Sequence, residues 1–260
     1  MQQLLLLAAL AMTACTTLGP NPVTTGVSAV PSGRPGVELA VGAMPAFYLS
    51  DAAAQRDGAG GATAQQTATF EPDRWLGVKG LIVGARRFGD GSDSPIEPLL
   101  GYRRRLDDNF SVLGLAYGTH TSAANDGADY EATRFGGELT LDAALPKITN
   151  WVALNGFLSA SGTLLDASGT YCVAADGVAI DCEETSRRVD ASVDGVYFAG
   201  TGGLALDLAR RPTGSLHSIR IAMLSSIGVM PKLRDGEQQP SKDGFYSFGL
   251  SLQVGFGAPE

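Results

Sequence analysis

Residues 245–256 read Phe-Tyr-Ser-Phe-Gly-Leu-Ser-Leu-Gln-Val-Gly-Phe. Tyr246, Phe248, Leu250, Leu252, Val254 and Phe256 share one parity, and Ser247, Gly249, Ser251, Gln253 and Gly255 share the other. Side chains alternate faces along a strand, so this strand has one wholly apolar face and one small, polar face. Such a contrast suits a wall between lipid and a polar lumen.

Working back from that strand, the chain breaks into alternating segments: 218–230, 189–209, 151–164, 130–143, 110–120, 96–105, 75–87 and 37–50. In 189–209, Asp190, Ser192 and Asp194 mark a polar face early, whereas Leu204, Leu206 and Leu208 mark an apolar face late. Gly200-Thr-Gly-Gly203 lies between them, and a glycine-rich change of phase inside a strand predicts a bulge. The connections alternate in length. Residues 106–109, 145–150 and 210–216 are tight, whereas 121–128, 166–187 and 231–243 are longer and rich in Gly, Asp and Ser. Short turns on one side and long loops on the other are the habit of membrane barrels.

Parity tests the strand count. The segments so far put the two chain ends on opposite sides, so one more strand is required. Residues 62–70 (Ala-Thr-Ala-Gln-Gln-Thr-Ala-Thr-Phe), followed by a Glu71-Pro72-Asp73-Arg74 turn, supply it. The expected fold is therefore all-β: an up-and-down antiparallel transmembrane β-barrel of about ten strands, eight as the fallback. Its short turns are periplasmic and its longer loops are outside.

Composition agrees. Charged residues make up 18% of the chain, Gly numbers 34, and no window after residue 15 is long and apolar enough for a membrane helix. Mean hydropathy is +0.07. A net charge of −8 argues against a nucleic-acid partner, which needs clustered Lys and Arg. Aromatic residues at strand ends fit interfacial belts: Trp75, Tyr102, Phe110, Trp151 and Phe256 at the short-turn side, and Phe47, Tyr48, Tyr117, Tyr130 and Tyr246 at the other.

The first residues carry an address. Residues 4–11 form a short apolar run before Met12-Thr13-Ala14-Cys15, too short to span a bilayer and suited to a secretory signal. This ending resembles the lipobox of bacterial lipoproteins, which implies lipid attachment at Cys15. The expected organisation is a signal peptide over 1–14, a lipid-anchored linker over 15–35 and the barrel over 36–258. Cys172 and Cys182 flank a turn-forming Asp176-Gly177, and in an exported protein the pair is expected to form a disulfide.

On the proposed lumen faces sit Glu38, Lys79, Glu97, Arg103, Arg105, Arg134, Glu138, Asp142, Asp190, Asp194, Asp207 and Arg220. The expected charge network comprises Arg134, Glu138, Asp142, Asp190, Asp194 and Arg220. Opposite charges in a narrow barrel pair and fill it; a selectivity lining for small ions is the alternative. No metal or other cofactor is expected.

The chain resembles small bacterial outer-membrane β-barrel proteins over about residues 37–257. Ser247, Gly249, Leu252 and Val254 match the C-terminal insertion signal of that class, although the chain continues past Phe256 through Gly-Ala-Pro-Glu. The resemblance implies outer-membrane lipid, lipopolysaccharide and the barrel-assembly machinery as partners. It also implies a non-catalytic role: an envelope structural protein or narrow small-solute passage with a loop-displayed binding surface, its ligand unknown. Two alternatives stand beside it. One is a lipid-anchored soluble β-sandwich or lipocalin-like binding protein. The other rests on His120-Thr121-Ser122, which resembles the His-any-Ser triplet of lipid A deacylases, with Glu131 on the neighbouring strand as the assisting carboxylate. The family's Asn and Gly after the serine are replaced by Ala123-Ala124.

Overall fold

The computed structural model describes residues 27–30, 36–48, 62–72, 76, 78–88, 96–125, 128–145, 148–149, 152–173, 179–180, 187–209, 216–231, 234–235 and 242–257. The signal region, Cys15 and Cys182 lie outside the described residues.

Ten long strands close into an antiparallel barrel: β1 (Gly36–Tyr48), β2 (Ala62–Phe70), β3 (Leu81–Phe88), β4 (Ile96–Arg105), β5 (Phe110–Asn125), β6 (Ala128–Ala144), β7 (Val152–Val173), β9 (Arg187–Ala209), β10 (Leu216–Pro231) and β12 (Lys242–Gly257). Two short strands, β8 (Ala179–Ile180) and β11 (Arg234–Asp235), add to β7 and β9 above the wall. Each long strand pairs with its sequence neighbour. The cylinder closes where β1 meets β12, with Val37 opposite Phe256 and Leu39 opposite Val254. The strand over 62–70, inferred from parity alone, pairs with β1 and β3.

The polarity of the cylinder is inside-out. Phe135, Leu158, Leu164, Leu204, Ile227 and Leu250 are exposed on its outside, whereas Glu97, Arg103, Asp142 and Arg86 are buried within. In water this arrangement would forfeit its hydrophobic driving force; in hydrocarbon it is the stable one. On β12 the parity reading holds residue by residue: Tyr246, Phe248, Leu250, Leu252 and Phe256 face out, and Ser247, Gly249, Gln253 and Gly255 face in. From Tyr246 to Phe256 the strand covers roughly 33 Å at ~3.3 Å per residue, or about 25 Å of height at a ~40° tilt, the height of a bilayer band.

The band has a sharp upper edge. Phe135, Leu164 and Val196 lie side by side in the ladder, and one rung further so do His120, Thr133, Asp166 and Asp194. The outward face changes there from apolar to polar while the hydrogen-bonded ladder runs on. This edge explains three departures from the sequence reading. β7 extends past Leu164 to Val173 and β5 past His120 to Asn125, leaving only residues 126–127 where a long loop was expected. The change of phase within β9 is not a bulge, because its register against β7 is unbroken from Val152↔Leu208 to Val173↔Arg187. Asp190 and Asp194 therefore face outward with Phe198 and Leu204, above the hydrocarbon rather than in the lumen.

The short-turn end is tight. Asp107 Oδ1 accepts from the Asn109 and Phe110 amides at 2.7 and 2.8 Å, an Asx turn that reverses β4 into β5. The expected strand over 75–87 begins instead at Leu81, after Gly80. Gly80 has φ +82°, and its carbonyl accepts from the Arg103 amide at 2.7 Å. A Cβ there would stand 2.0 Å from the Arg103 carbonyl oxygen. Gly80→Ala should therefore destabilise the barrel by about 2 kcal/mol or more, combining a disfavoured φ with a backbone clash. Urea unfolding in micelles would read this, and an unchanged midpoint would contradict the turn geometry.

Candidate functional site

The lumen is the chemically rich part of the molecule, because alternation forces every second residue of ten strands into one narrow space. Three arginine clusters fill its lower and middle levels. Glu97 on β4 lies between Arg86 of β3 and Arg134 of β6: Arg86 Nε donates to Glu97 Oε2 at 2.8 Å, and Arg134 Nε donates to Oε1 at 2.8 Å. The Arg86 guanidinium also stacks 4.4 Å from the centre of the Tyr117 ring, whose hydroxyl meets Thr163 Oγ1 at 2.8 Å.

Nearer the short turns, Arg103 forks onto Glu38, with Nη1 to Oε1 at 3.2 Å and Nη2 to Oε2 at 2.7 Å. Its Nη1 also reaches Glu71 Oε1 at 2.5 Å, and Gln253 Nε2 donates to Glu38 Oε2 at 2.7 Å. In the third cluster Arg220 of β10 binds Asp142 of β6, stands 3.7 Å from Asp207 of β9, and lies over the Phe157 ring. Asn155 donates to Asp207. Glu138 accepts from the Thr140 and Ser159 hydroxyls at 2.9 and 3.0 Å.

Four of the six residues expected to form the network, Arg134, Glu138, Asp142 and Arg220, are thus placed together in the lumen. Asp190 and Asp194 are not, for the reason given by the band edge. Lys79 and Arg105 are exposed as well; Arg105 caps the β4–β5 turn through Asp107 O and Asp108. Tyr117, expected at the outer rim, points inward and is buried. Arg86, Glu71 and Asn155 were missed, and Gln253 was placed on the polar face of the last strand without a role in the network. Arg86 escaped because the start of β3 was placed too early, and Glu71 because it lies in a turn.

A second line of polar groups crosses the other wall. Thr140, Ser159, Thr201, Ser226 and Ser247 occupy successive strands in ladder register on β6, β7, β9, β10 and β12. The Thr201 and Ser226 hydroxyls are 2.5 Å apart. Above this row Leu165, Ala167, Val193, Tyr197, Ala199 and Phe245 form one buried apolar cluster.

Residues 27–30, within the stretch read as a linker, lie inside the barrel. Val27 and Ala29 pack with Ile82, Leu113 and Leu115 on the β3–β5 wall. The Ser28 amide donates to Gln253 Oε1 at 3.1 Å, and the Ala29 amide to Asp142 Oδ2 at 2.7 Å. Arg220 donates to Ser28 Oγ. Val-Ser-Ala-Val carries no turn, charge or periodicity signal, so the sequence gives no hint of this placement.

The His120 set lies outside the barrel, above the band. His120 Nδ1 is 2.9 Å from Thr133 Oγ1, and its Nε2 is 3.5 Å from Glu131 Oε1. Ser122 lies directly opposite Glu131 in the ladder and is exposed. With both ring nitrogens turned to β6, neither is directed at Ser122, so the three groups do not assemble a serine–histidine relay. Among the described residues no group of three His, Cys, Asp or Glu forms a metal-binding set. Cys172 lies in β7 opposite Ile180 of β8, two residues before Cys182.

No protein-family model and no curated protein sequence matches the chain. Among solved structures it is similar to Neisserial surface protein A, at 10% identity over 84% of this chain and 94% of that one, with a TM-score of 0.31. It is also similar to Ail, the attachment invasion locus protein of Yersinia pestis, at 11% identity over 84% and 96% of the two chains, with a TM-score of 0.31. The P. putida toluene transporter TodX shows 9% identity over 95% and 97%, with a TM-score of 0.29.

Proposed function

We propose that this protein is a non-catalytic barrel of the bacterial outer membrane, closed to water along its lumen and serving as an envelope structural protein. Its surface for outside partners is the tall wall of β7 and β9, which at 22 and 23 residues outrun the 9 and 8 residues of β2 and β3. One observation supports the closed reading above all. Residues lining an open pore would be wet, yet Leu99, Leu113, Glu97, Asp142 and Ser226 are each less than 2% exposed. Ion pairs in the lower lumen and an apolar cluster in the upper support a lumen without a continuous water path.

The rest of the proposal follows from the sequence. The exposed apolar band calls for outer-membrane lipid, with lipopolysaccharide against the polar rung above it, and the last strand suits recognition by the barrel-assembly machinery. Cys15 tethers the N-terminus on the periplasmic side, and Cys172–Cys182 pins the crest of the tall wall. Planar-bilayer recording on the refolded full chain tests the closed lumen. The expected trace is flat at moderate voltage. Long-lived, uniform conductance steps would overturn the proposal in favour of a passage.

A further inference from the structure

The structure assigns a peptide-binding site to the floor of the lumen, occupied here by the chain's own residues 27–30. The site has two unlike walls. Ile82, Leu113 and Leu115 offer an apolar shelf on which Val27 and Ala29 rest, both under 5% exposed. Across from it, Asp142, Gln253 and Arg220 face the backbone and Ser28. Asp142 uses one oxygen for Arg220 and the other for the Ala29 amide, so a single carboxylate holds both the cation and the segment. Gln253 likewise turns its Nε2 to Glu38 and its Oε1 to the Ser28 amide. Two main-chain amides are read by side chains fixed on two different strands, and that chemistry takes an extended peptide with small side chains.

The segment is held unlike any strand. Among the described residues no ladder pairing joins 27–30 to the sheet, and the Ser28 and Ala29 amides are held by side chains. It can therefore leave without breaking one rung of the cylinder. The groups it uncovers, Asp142, Arg220 and Gln253, are polar and gain water in exchange. Above the floor, the Phe245–Tyr197–Leu165 cluster belongs to the strands themselves and stays in place. The floor is thus exchangeable while the roof is fixed. Release of the segment turns a closed barrel into a vestibule open only at the short-turn end, where a peptide in trans can take its place.

The test uses the full chain and the variant Ala29→Glu, which changes only the segment and no residue of the barrel. A carboxylate cannot rest on the Ile82–Leu113–Leu115 shelf beside Asp142, so the variant should vacate the floor. The probe is a fluorescein-labelled synthetic peptide with the sequence of residues 24–32, followed by anisotropy in micelles. Binding to Ala29→Glu should be roughly tenfold or more tighter than to the full chain, where the tethered segment competes. The same peptide carrying the Glu substitution should not bind. As a second measure, Ser111→Cys, placed opposite Asp142 in the ladder, is made with Cys15, Cys172 and Cys182 changed to Ser. Its maleimide labelling should speed up by about tenfold when Ala29→Glu is added, because the floor controls its access to water. If Ala29→Glu migrates as a folded, heat-modifiable barrel yet neither binds peptide nor labels faster, the segment is a fixed part of the core and the assignment fails. That failure would leave a flat conductance trace untouched, so it is separable from failure of the closed-barrel proposal.

Discussion

Replacing Glu97 with Ala should cost about 3–5 kcal/mol of barrel stability, the range for breaking a buried ion pair by removing one partner. Glu97 bonds both Arg86 and Arg134, and its side chain is completely buried. Without it, two buried guanidinium groups lose the carboxylate they share. Arg86 retains its contact with the Tyr117 face, worth ~0.5–2 kcal/mol, a fraction of that loss. Glu97→Gln keeps the shape and one acceptor and should fall between wild type and Glu97→Ala. Urea unfolding of refolded protein in liposomes, followed by the gel shift between folded and unfolded barrel, reads the effect. A loss below about 1 kcal/mol would mean that lumen arginines are solvated after all.

The second large effect concerns the outside. Leu250→Arg, within the apolar band of β12, should cost about 2–4 kcal/mol, as a cation near the bilayer midplane does on an outward barrel face. Leu250 is 54% exposed and pairs with Met223 and Ala43 on its flanking strands. Asp194→Arg is the matched control: also outward-facing, but one rung above the hydrocarbon edge, where the penalty falls to about 0–1 kcal/mol. The contrast also decides the soluble alternative. In a lipocalin-like barrel bathed by water, Leu250→Arg would be neutral or would raise solubility, and the two variants would behave alike.

Most of the cylinder was legible because hydrocarbon imposes alternation over its own thickness. Within the band, each strand shows one apolar and one polar parity, and the eye can follow it. Above the band both faces are polar, so the written pattern stops at Leu164 and His120 while the hydrogen-bonded ladder continues to Val173 and Asn125. The same loss of contrast made Asp190 and Asp194 look like lumen residues. Charge identity was a good guide to the lumen where the strand start was right, as for Arg134, Glu138, Asp142 and Arg220. It failed where Lys79 and Arg105 flank turns, since a charged residue beside a turn has water on every side. Residues 27–30 were illegible for a different reason. Their hydrogen-bond partners in the barrel lie 113 to 225 positions away, and no local pattern carries that information.

The seam between β1 and β12 sets an order of events. Gly36 pairs with Gly257, so the first strand of the cylinder waits for nearly the last residues of the chain. Until then β1 has an unpaired edge, and every outward leucine has lost its hydrocarbon partner. A chain wired this way cannot close its cylinder one hairpin at a time; pairing across so long a separation is slow, and the open edge is sticky in the meantime. The cylinder closes only when β12 reaches β1, and the same strand carries Gln253 to Ser28. The floor of the lumen is therefore complete only when the seam is.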